Sequence, residues 1–190
     1  MKNLLIFGPP GSGKGTQADR LREKYQLIHI STGDVFRRNL KSKTKLGLYA
    51  RSFMDKGHYV PDEVTIEMLK QEVESSPESN GFIFDGFPRT ISQAEALEAY
   101  LAEKGQEISG MLSLEVEEEV LVTRILKRAK SSGRADDQDE AKIRDRFTEY
   151  QEKTALLKDF YQKKDKYHSV NGVGTIIDIA DELSAIIDSL

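Results

Sequence analysis

A glycine-rich segment near the N-terminus constrains the fold more than any other feature of this chain. The residues from Gly8 to Thr16 read GPPGSGKGT; they follow a short apolar run, Leu4–Phe7, and precede a polar segment with helical character. Their spacing matches G-x-x-x-x-G-K. Glycines let successive backbone N–H groups turn toward an anion, and the N-terminus of the next helix adds partial positive charge. The segment therefore predicts a phosphate-binding loop (P-loop) between a strand and a helix.

The residue after Lys14 departs from the usual form of this motif. Ser or Thr commonly follows the lysine, whereas this chain has Gly15, which offers no hydroxyl to a metal ion. We expect Thr16, one position later, to contact a phosphate instead. The alternative is a glycine-rich turn with an incidental lysine, and the strand–loop–helix context disfavours it.

Short apolar runs alternate with longer polar-periodic segments along the rest of the chain. This alternation is typical of β-α-β units and predicts an α/β fold, with a parallel five-stranded sheet flanked by helices in one domain that spans residues 1–190. The expected strands are Asn3–Phe7, Leu27–Ile30, Phe82–Asp85, Met111–Val116 and Tyr167–Val170.

Three of the expected helices have clear signals. Thr90–Lys104 is followed by Gly105, a typical helix stop, and Ile177–Leu190 ends the chain. The third, Asp139–Lys164, has an apolar stripe that we assign to the core: Ile143, Phe147, Tyr150, Leu157 and Tyr161. Lys41–Val60 and Ala129–Asp137 interrupt the pattern, and we interpret them as candidate mobile flaps, with plain surface connections as the alternative.

The composition excludes several classes of function. A formal net charge of −4 argues against a nucleic-acid scaffold, although it does not forbid a local basic cleft. Cysteine is absent, which excludes disulfides, thiolate catalysis and cysteine-based zinc sites. Leu4–Phe7 is too short for a signal-peptide core, and no later apolar run reaches membrane-spanning length. We therefore expect a cytoplasmic protein without membrane or nucleic-acid partners.

Missing motifs narrow the class of P-loop protein. The guanine-reading N-K-x-D motif is absent, and Asp85-Gly86-Phe87-Pro88 lacks the glycine of a D-x-x-G switch. These absences favour small-molecule kinases. A switch or binding protein without transfer chemistry stays as the alternative from another class, and the number of arginines around the cleft discriminates the two, because two facing phosphate groups need many.

The order of the motifs resembles that of the adenylate kinases along essentially the whole chain. The stretches that carry the resemblance are Gly8–Thr16, Ser31–Asp34, Asp85–Thr90 and Gly133–Asp137. The resemblance implies a P-loop NTPase-type fold with a helical AMP-binding segment at about 31–60 and a short lid at about 129–137. It also implies reversible transfer of a phosphoryl group from Mg-ATP to AMP, giving two ADP, by a monomer with Mg²⁺ as the cofactor that accompanies ATP.

The same resemblance assigns roles to individual residues. Those implied for ATP binding are Gly11, Ser12, Gly13, Lys14, Gly15, Thr16, Arg124, Arg128, Gly172 and Gly174. Those implied for AMP binding are Thr32, Gly33, Arg37, Met54, Lys56, Val60, Gly86, Arg89, Gln93, Arg134 and Arg146. Those implied for catalysis are Lys14, Arg89, Arg128, Arg134 and Arg146.

Physical reasons accompany several of these implied roles. An arginine fork suits a phosphate better than a lysine does, which fits Arg37 and Arg89. A glutamine offers both a donor and an acceptor, as the adenine edge requires of Gln93. The implied role of Asp85 is to orient Mg²⁺ through water; the alternative is a turn aspartate.

Some assignments leave alternatives open. Arg124, implied to stack on the ATP adenine, lies four residues before Arg128, so the two share one face of a predicted helix, which is alternatively a solvated basic face. Arg144 competes with Arg146 as the phosphate ligand. Asp136 and Asp137 are implied to tether lid arginines, with Asp137 and Glu140 alternatively a helix cap. Ser31 with Asp34 fits a capping box. Asn171–Gly174 is either the loop beside the ATP adenine or a simple turn.

Comparison with long-lid adenylate kinases and with UMP/CMP kinases gives two further expectations. Long-lid relatives insert a hairpin that often binds metal, whereas this chain has a short loop there and only scattered histidines, His29, His58 and His168, so we expect no structural zinc. The nearest rival is a UMP/CMP kinase on the same scaffold. Thr32, Thr90 and Gln93 favour AMP over that reading.

Overall fold

A single parallel sheet organises the chain, as the alternation of apolar and polar segments predicts. The structure is a computed structural model that describes residues 1–54, 60–132 and 140–190. Its strands are β1 Lys2–Phe7, β2 Ile28–Ser31, β3 Gly81–Asp85, β4 Gly110–Glu115 and β5 Tyr167–Asn171. Each predicted strand is confirmed, and no boundary is displaced by more than about one residue, the usual uncertainty of such assignments.

The strand order brings the ends of β1 and β3 side by side. The sheet runs β2-β3-β1-β4-β5, and every neighbouring pair is parallel. All carboxyl ends therefore meet at one edge of the sheet. The chain crosses to opposite sides of β1 after β1 and after β3, and ligands bind in open α/β sheets beside such a reversal. The phosphate loop follows β1 directly, and Asp85 ends β3.

The helices lie on both faces of the sheet. Their bounds are α1 Lys14–Tyr25, α2 Thr32–Lys41, α3 Lys45–Met54, α4 Asp62–Glu74, α5 Ile91–Glu103, α6 Glu118–Ser132, α7 Glu140–Glu149, α8 Leu156–Gln162 and α9 Ile176–Ser189. Gly105, with φ of 67°, lies just beyond α5, as expected for a helix stop. None of the described helices combines the length and the apolar character that crossing a membrane requires.

The core has two halves, one on each face of the sheet. Successive side chains of β1 alternate between them: Leu5 and Phe7 pack into one apolar cluster, and Leu4 and Ile6 into the other. Because both faces are covered, the central strands read as continuous apolar runs. The buried centre holds the phosphate loop and the end of β3 in fixed positions at the sheet edge.

The prediction of one continuous helix over Asp139–Lys164 is wrong. A π-helical turn, Tyr150–Thr154, separates α7 from α8, and Ala155 N–H donates to the carbonyl of Tyr150, five residues back, at 2.9 Å. The predicted core stripe is nevertheless largely confirmed, because its members on α7 and α8 are buried. One extra residue rotates a helical face by about 100°, so the turn changes which side chains face the sheet edge.

Both segments interpreted as flaps contain helix. α6 continues to Ser132, so residues 129–132 are helical rather than a loop, since no Gly or Pro interrupts them before Gly133. In the other segment α3 forms because Leu46 and Ala50, one turn apart, face the core. Residues 55–59 of the first segment and 133–137 of the second lie outside the described residues.

Candidate active site

A cleft of about 500 Å³ opens at the carboxyl edge of the sheet, where β1, β2 and β3 end. It is the natural candidate for a ligand site in a fold of this kind. The residues that line it are Ile6, Phe7, Gly8, Pro10, Gly11, Gly13, Lys14, Gly15, Thr16, Ser31, Gly33, Arg37, Asp85, Gly86, Pro88, Arg89, Arg128, Arg146, Tyr150 and Thr154.

The phosphate loop forms one wall, and its backbone needs glycine. Gly13 caps α1 with a left-handed φ of 99°, which a side chain would strain. At Gly11, with φ of 84°, an added Cβ would lie 2.9 Å from Cγ1 of Ile125 on α6. The loop thus turns tightly between β1 and α1 and directs the N-terminus of α1 at the cleft. That geometry suits phosphate.

Lys14 lies folded against its own loop. Its ammonium donates to the carbonyls of Gly8, at 2.6 Å, and Pro9, at 3.0 Å. Burial lowers the pKa of Lys14 from 10.5 to about 8; the charge of Asp85 opposes the shift, and the cleft arginines reinforce it. Burial is the main cause of the shift, and the nearby arginines add a smaller repulsion on the Lys14 ammonium. An anionic ligand would relieve this repulsion.

Four arginines converge on the same cleft from separate helices and loops: Arg37, Arg89, Arg128 and Arg146. Arg37 pairs with Asp34, one turn earlier on α2. The Nε–H of Arg89 donates to the carbonyl of Gly86 at 3.0 Å. Fixed guanidinium groups around a pocket match the several oxygens of phosphate groups, which accept paired hydrogen bonds.

Arg144 and Arg146, the two candidate phosphate ligands on α7, differ in position. Arg146 is partly buried and lines the cleft, whereas Arg144 is exposed and is not among the lining residues. Arg146 is also one of the charges that lower the pKa of Lys14. The geometry favours Arg146 as the phosphate ligand.

Arg124 connects two loops rather than lining the cleft. Its guanidinium donates to the carbonyl of Ser12 at 3.3 Å and to that of Gly172 at 3.0 Å. It thereby ties the phosphate loop to the loop that follows β5. Gly172 and Gly174 lie in that second loop and, like Arg124, are not among the lining residues. The stacking of Arg124 on adenine stays a prediction.

Asp85 ends β3 and lies beside the phosphate loop. Its Oδ2 would be 3.9 Å from a Cβ added at Gly15, and it lies 3.5 Å from Nε2 of His29. Burial lowers the pKa of His29, but Asp85 and Asp19 outweigh that effect and leave the pKa raised. Mg²⁺ commonly binds through one or two carboxylates, waters and substrate phosphates, so this donor set fits the ion.

Any further metal site would need a cluster of ligating side chains. Among the described residues, no group of three or more His, Asp or Glu side chains could hold a metal ion. His58 lies outside those residues. The absence of structural zinc stays a prediction.

The start of α2 faces the opposite side of the cleft. Thr32 is buried, and its hydroxyl donates to the carbonyl of Asp85 at 3.1 Å, which joins α2 to the end of β3. Gly33 lines the cleft, and a Cβ there would approach Nη1 of Arg37 to 3.2 Å. The predicted capping box is wrong: Ser31 occupies the N-cap position without a side-chain hydrogen bond.

Gln93 is buried on the first turn of α5 and is not among the residues that line the cleft. Its amide nitrogen donates to Asp62 at 2.6 Å, and its amide oxygen accepts from the backbone N–H of Arg89 at 2.7 Å. Each amide group keeps one further hydrogen-bonding position for a base. Its role in reading adenine stays a prediction.

The remaining predicted residues are distributed as follows. Lys56, Arg134, Asp136 and Asp137 lie outside the described residues. Met54 is the last residue of α3, and nothing is described of its side chain. Val60 is partly buried and packs against the core. Ser12 is buried in the phosphate loop and is not a lining residue.

The sequence did not predict two residues of the cleft as site residues. They are Tyr150 and Thr154 of the π-helical turn. Tyr150 was assigned to the core stripe, yet it lines the cleft. Burial, then the charge of Glu115, raises the pKa of Tyr150 to about 12, so its hydroxyl keeps its proton at neutral pH. The available signal was their spacing, since Tyr150 follows Arg146 by four residues and Thr154 follows it by eight.

Comparison with known proteins agrees with the motif order and the fold. The family model for adenylate kinase matches residues 6–166 of the chain. The chain belongs to the adenylate kinase family. Similar adenylate kinases include that of Flavobacterium psychrophilum, 56% identical over 190 residues with 100% of both chains covered. That of Flavobacterium johnsoniae is 54% identical and that of Bacteroides fragilis 50% identical, each again over 100% of both chains.

The family membership confirms two predictions from the sequence. The resemblance to adenylate kinases, which was read from four short stretches, holds over the full length of the chain. The five-stranded parallel sheet with flanking helices agrees with the P-loop fold of this family. The roles of individual residues stay predictions.

Proposed function

We propose that this member of the adenylate kinase family transfers the terminal phosphoryl group of ATP reversibly to AMP, giving two ADP. The observation that carries the proposal is the convergence of four arginines and Lys14 on one cleft between the phosphate loop and the Asp85–Arg89 segment. A switch protein that holds one nucleotide does not need so much positive charge on both sides of its cleft. An enzyme that holds two nucleotides with their phosphate chains facing each other does need it.

The ATP half of the site is assigned to the phosphate loop and its neighbours. Gly11 to Thr16 and the N-terminus of α1 hold the β- and γ-phosphates, with Lys14 turning from its own loop carbonyls toward them. Arg128 reaches the same phosphates from α6. Arg124, Gly172 and Gly174 border the adenine, where the bridge from Arg124 to Gly172 fixes the loop after β5.

The AMP half is assigned to α2, the loop after β3 and α5. Arg37 and Arg89 hold the AMP phosphate, and Thr32, Gly33 and Gly86 border the nucleoside. Gln93 reads the adenine edge. The same proposal includes Met54, Lys56, Val60 and Arg134, which belong to the AMP-binding segment and the short lid of residues 129–137.

The chemistry needs positioning and electrostatic stabilisation rather than an acid or base. AMP already carries an anionic phosphate nucleophile, so no side chain has to remove a proton. Lys14, Arg89, Arg128 and Arg146 neutralise charge that spreads over the oxygens of the transferred group. The site holds both phosphate groups in line with each other. The reaction between two separate molecules thereby becomes effectively unimolecular.

Asp85 is assigned to hold Mg²⁺ through water. A bound Mg²⁺ would neutralise charge on the β- and γ-phosphates of ATP. Gly15 offers no hydroxyl to the ion, whereas Asp85 offers a carboxylate, the only one among the described residues that line the cleft.

Closure of two segments over the nucleotides completes the proposal. The AMP-binding segment, about 31–60, and the short lid, about 129–137, exclude water that would otherwise hydrolyse ATP. We propose that the protein acts in the cytoplasm as a monomer. A dinucleotide that joins two adenosines through five phosphates should protect both segments from proteolysis, and equal cleavage with and without it would contradict closure.

A panel of acceptors tests the choice of substrate. Purified protein is supplied with Mg-ATP and with AMP, CMP, UMP or GMP in turn, and ADP formation is measured. We expect AMP to be used with the highest kcat/KM. Preference for CMP or UMP would favour the pyrimidine-kinase alternative on the same scaffold and would contradict the roles given to Thr32 and Gln93.

A further inference from the structure

Arg146, Tyr150 and Thr154 form a column along one wall of the cleft. They are spaced four residues apart across the end of α7 and the π-helical turn, and all three line the cleft. Arg146 already has a role in the proposed function. The other two have none, although π-helical turns frequently lie at functional sites.

Thr154 is unusual among the threonines of the neighbouring helices. It is only 9% exposed, and its hydroxyl has no hydrogen-bond partner among the described residues. A helical threonine commonly bonds the carbonyl four residues back. Thr148 does so to Arg144 at 3.2 Å, and Thr123 does so to Glu119 at 3.0 Å.

The π-helical turn changes the hydrogen bonds around Thr154. The carbonyl of Tyr150, four residues back, accepts from the backbone N–H of Ala155 at 2.9 Å and not from the Thr154 hydroxyl. The Thr154 side chain is mostly buried, yet its hydroxyl is not sealed in the core, because the residue lines the cleft. Here the hydroxyl belongs to a residue of the cleft wall, so a bound ligand can supply the partner.

The chemistry of the cleft identifies that partner. Lys14 and Arg146 surround the same cavity with donors, and their natural ligands are phosphate oxygens, which only accept hydrogen bonds. Resting on the proposed function, we propose that the Thr154 hydroxyl donates a hydrogen bond to a phosphate oxygen of the nucleotide bound between Lys14 and Arg146. Thr154 is thus a further phosphate-binding residue of the site, carried there by the π-helical turn.

We expect one substitution, Thr154→Val, to affect the stability of the apo protein and its affinity for ligand differently. Thr154→Val keeps the shape and removes the hydroxyl. Since the hydroxyl is unpartnered without ligand, the melting temperature of the apo protein should stay the same or rise. Affinity for diadenosine pentaphosphate, measured by titration calorimetry, should fall by about tenfold, as expected when one hydrogen bond to a charged group is lost.

Two further variants control the experiment. Thr154→Ser keeps the hydroxyl and should keep affinity within about threefold of wild type, below the loss expected for a missing bond. Thr148→Val makes the same chemical change on an exposed position of α7 outside the cleft and should leave affinity unaltered. A loss smaller than about threefold in Thr154→Val, or an equal loss in Thr154→Ser, would overturn the proposal.

Failure of this inference is distinguishable from failure of the proposed function. Wild type and Thr148→Val are assayed for ADP formation from Mg-ATP and AMP in parallel. If both are active while Thr154→Val binds diadenosine pentaphosphate like wild type, only the role of Thr154 is wrong. If wild type forms no ADP, the proposed function fails whatever the binding data show.

Discussion

The side-chain amide nitrogen of Gln93 donates a 2.6 Å hydrogen bond to Oδ1 of Asp62. A carboxylate can only accept, and the backbone N–H of Arg89, on the other side, can only donate, so the amide has one orientation. Asp62 therefore fixes which group of Gln93 faces which direction. An adenine-reading glutamine needs this, because a flipped amide would exchange its donor and its acceptor.

We predict that Gln93→Leu lowers kcat/KM for AMP by roughly 5- to 150-fold, which corresponds to about 1–3 kcal/mol for a lost hydrogen bond in a desolvated site. The KM for ATP should change little, because the donor base binds elsewhere. Preference for AMP over CMP should shrink. Gln71→Leu, on an exposed face of α4, is the matched control, and unchanged AMP selectivity in Gln93→Leu would refute the assignment.

Lys14→Met should lower kcat by roughly 100- to 1,000-fold, the range for removal of one transition-state donor. The fold should survive, since Lys14 belongs to a ligand loop and its charge is disfavoured by burial. Steady-state kinetics and the melting temperature are measured together. Lys24→Met, on an exposed position of α1, serves as control. Near-normal turnover in a folded Lys14→Met protein would remove Lys14 from the mechanism.

The lowered pKa of Lys14 predicts a specific dependence of stability on pH. Between pH 8 and 10.5 the unfolded chain holds this proton more tightly than the folded protein does. The contribution of Lys14 to the free energy of unfolding therefore rises with pH through this window and is least favourable below it. If Lys14→Met has a higher free energy of unfolding than wild type, urea unfolding should show that this difference becomes smaller between about pH 7 and about pH 10. An advantage that grows would contradict the shift.

Arg146 and Arg144 provide a matched pair on α7. Arg146→Lys keeps the charge but loses the planar fork, and kcat should fall by roughly 10- to 100-fold. Arg144→Lys should leave kcat near the wild-type value, because Arg144 is exposed and does not line the cleft. Equal effects of the two substitutions would mean that the cleft geometry does not identify the phosphate ligand.

The sequence could predict the sheet and the phosphate loop because both follow from local patterns. Apolar runs locate β1 to β5, and the spacing of glycines and Lys14 locates the loop. The π-helical turn was not predictable in this way, since the apolar stripe continues on both sides of it. Sequence reasoning consequently assigned Tyr150 to the core and gave Thr154 no role.

The sequence also could not predict which side chains bond to one another. Ser31 and Asp34 have capping-box spacing, yet Asp34 pairs with Arg37 instead. The sequence predicts a base as a partner of Gln93 but not the bond between its amide and Asp62. Such choices depend on residues brought together by the tertiary fold, which no local pattern contains.

Transfer of a labelled phosphoryl group tests the central claim most directly. ATP labelled at its γ-phosphate is mixed with Mg²⁺, unlabelled AMP and the purified protein, and the products are separated. The account predicts that the label appears in ADP at its β-phosphate, that one ATP and one AMP disappear for every two ADP formed, and that AMP is required. Label released as inorganic phosphate, or consumption of ATP without AMP, would contradict it.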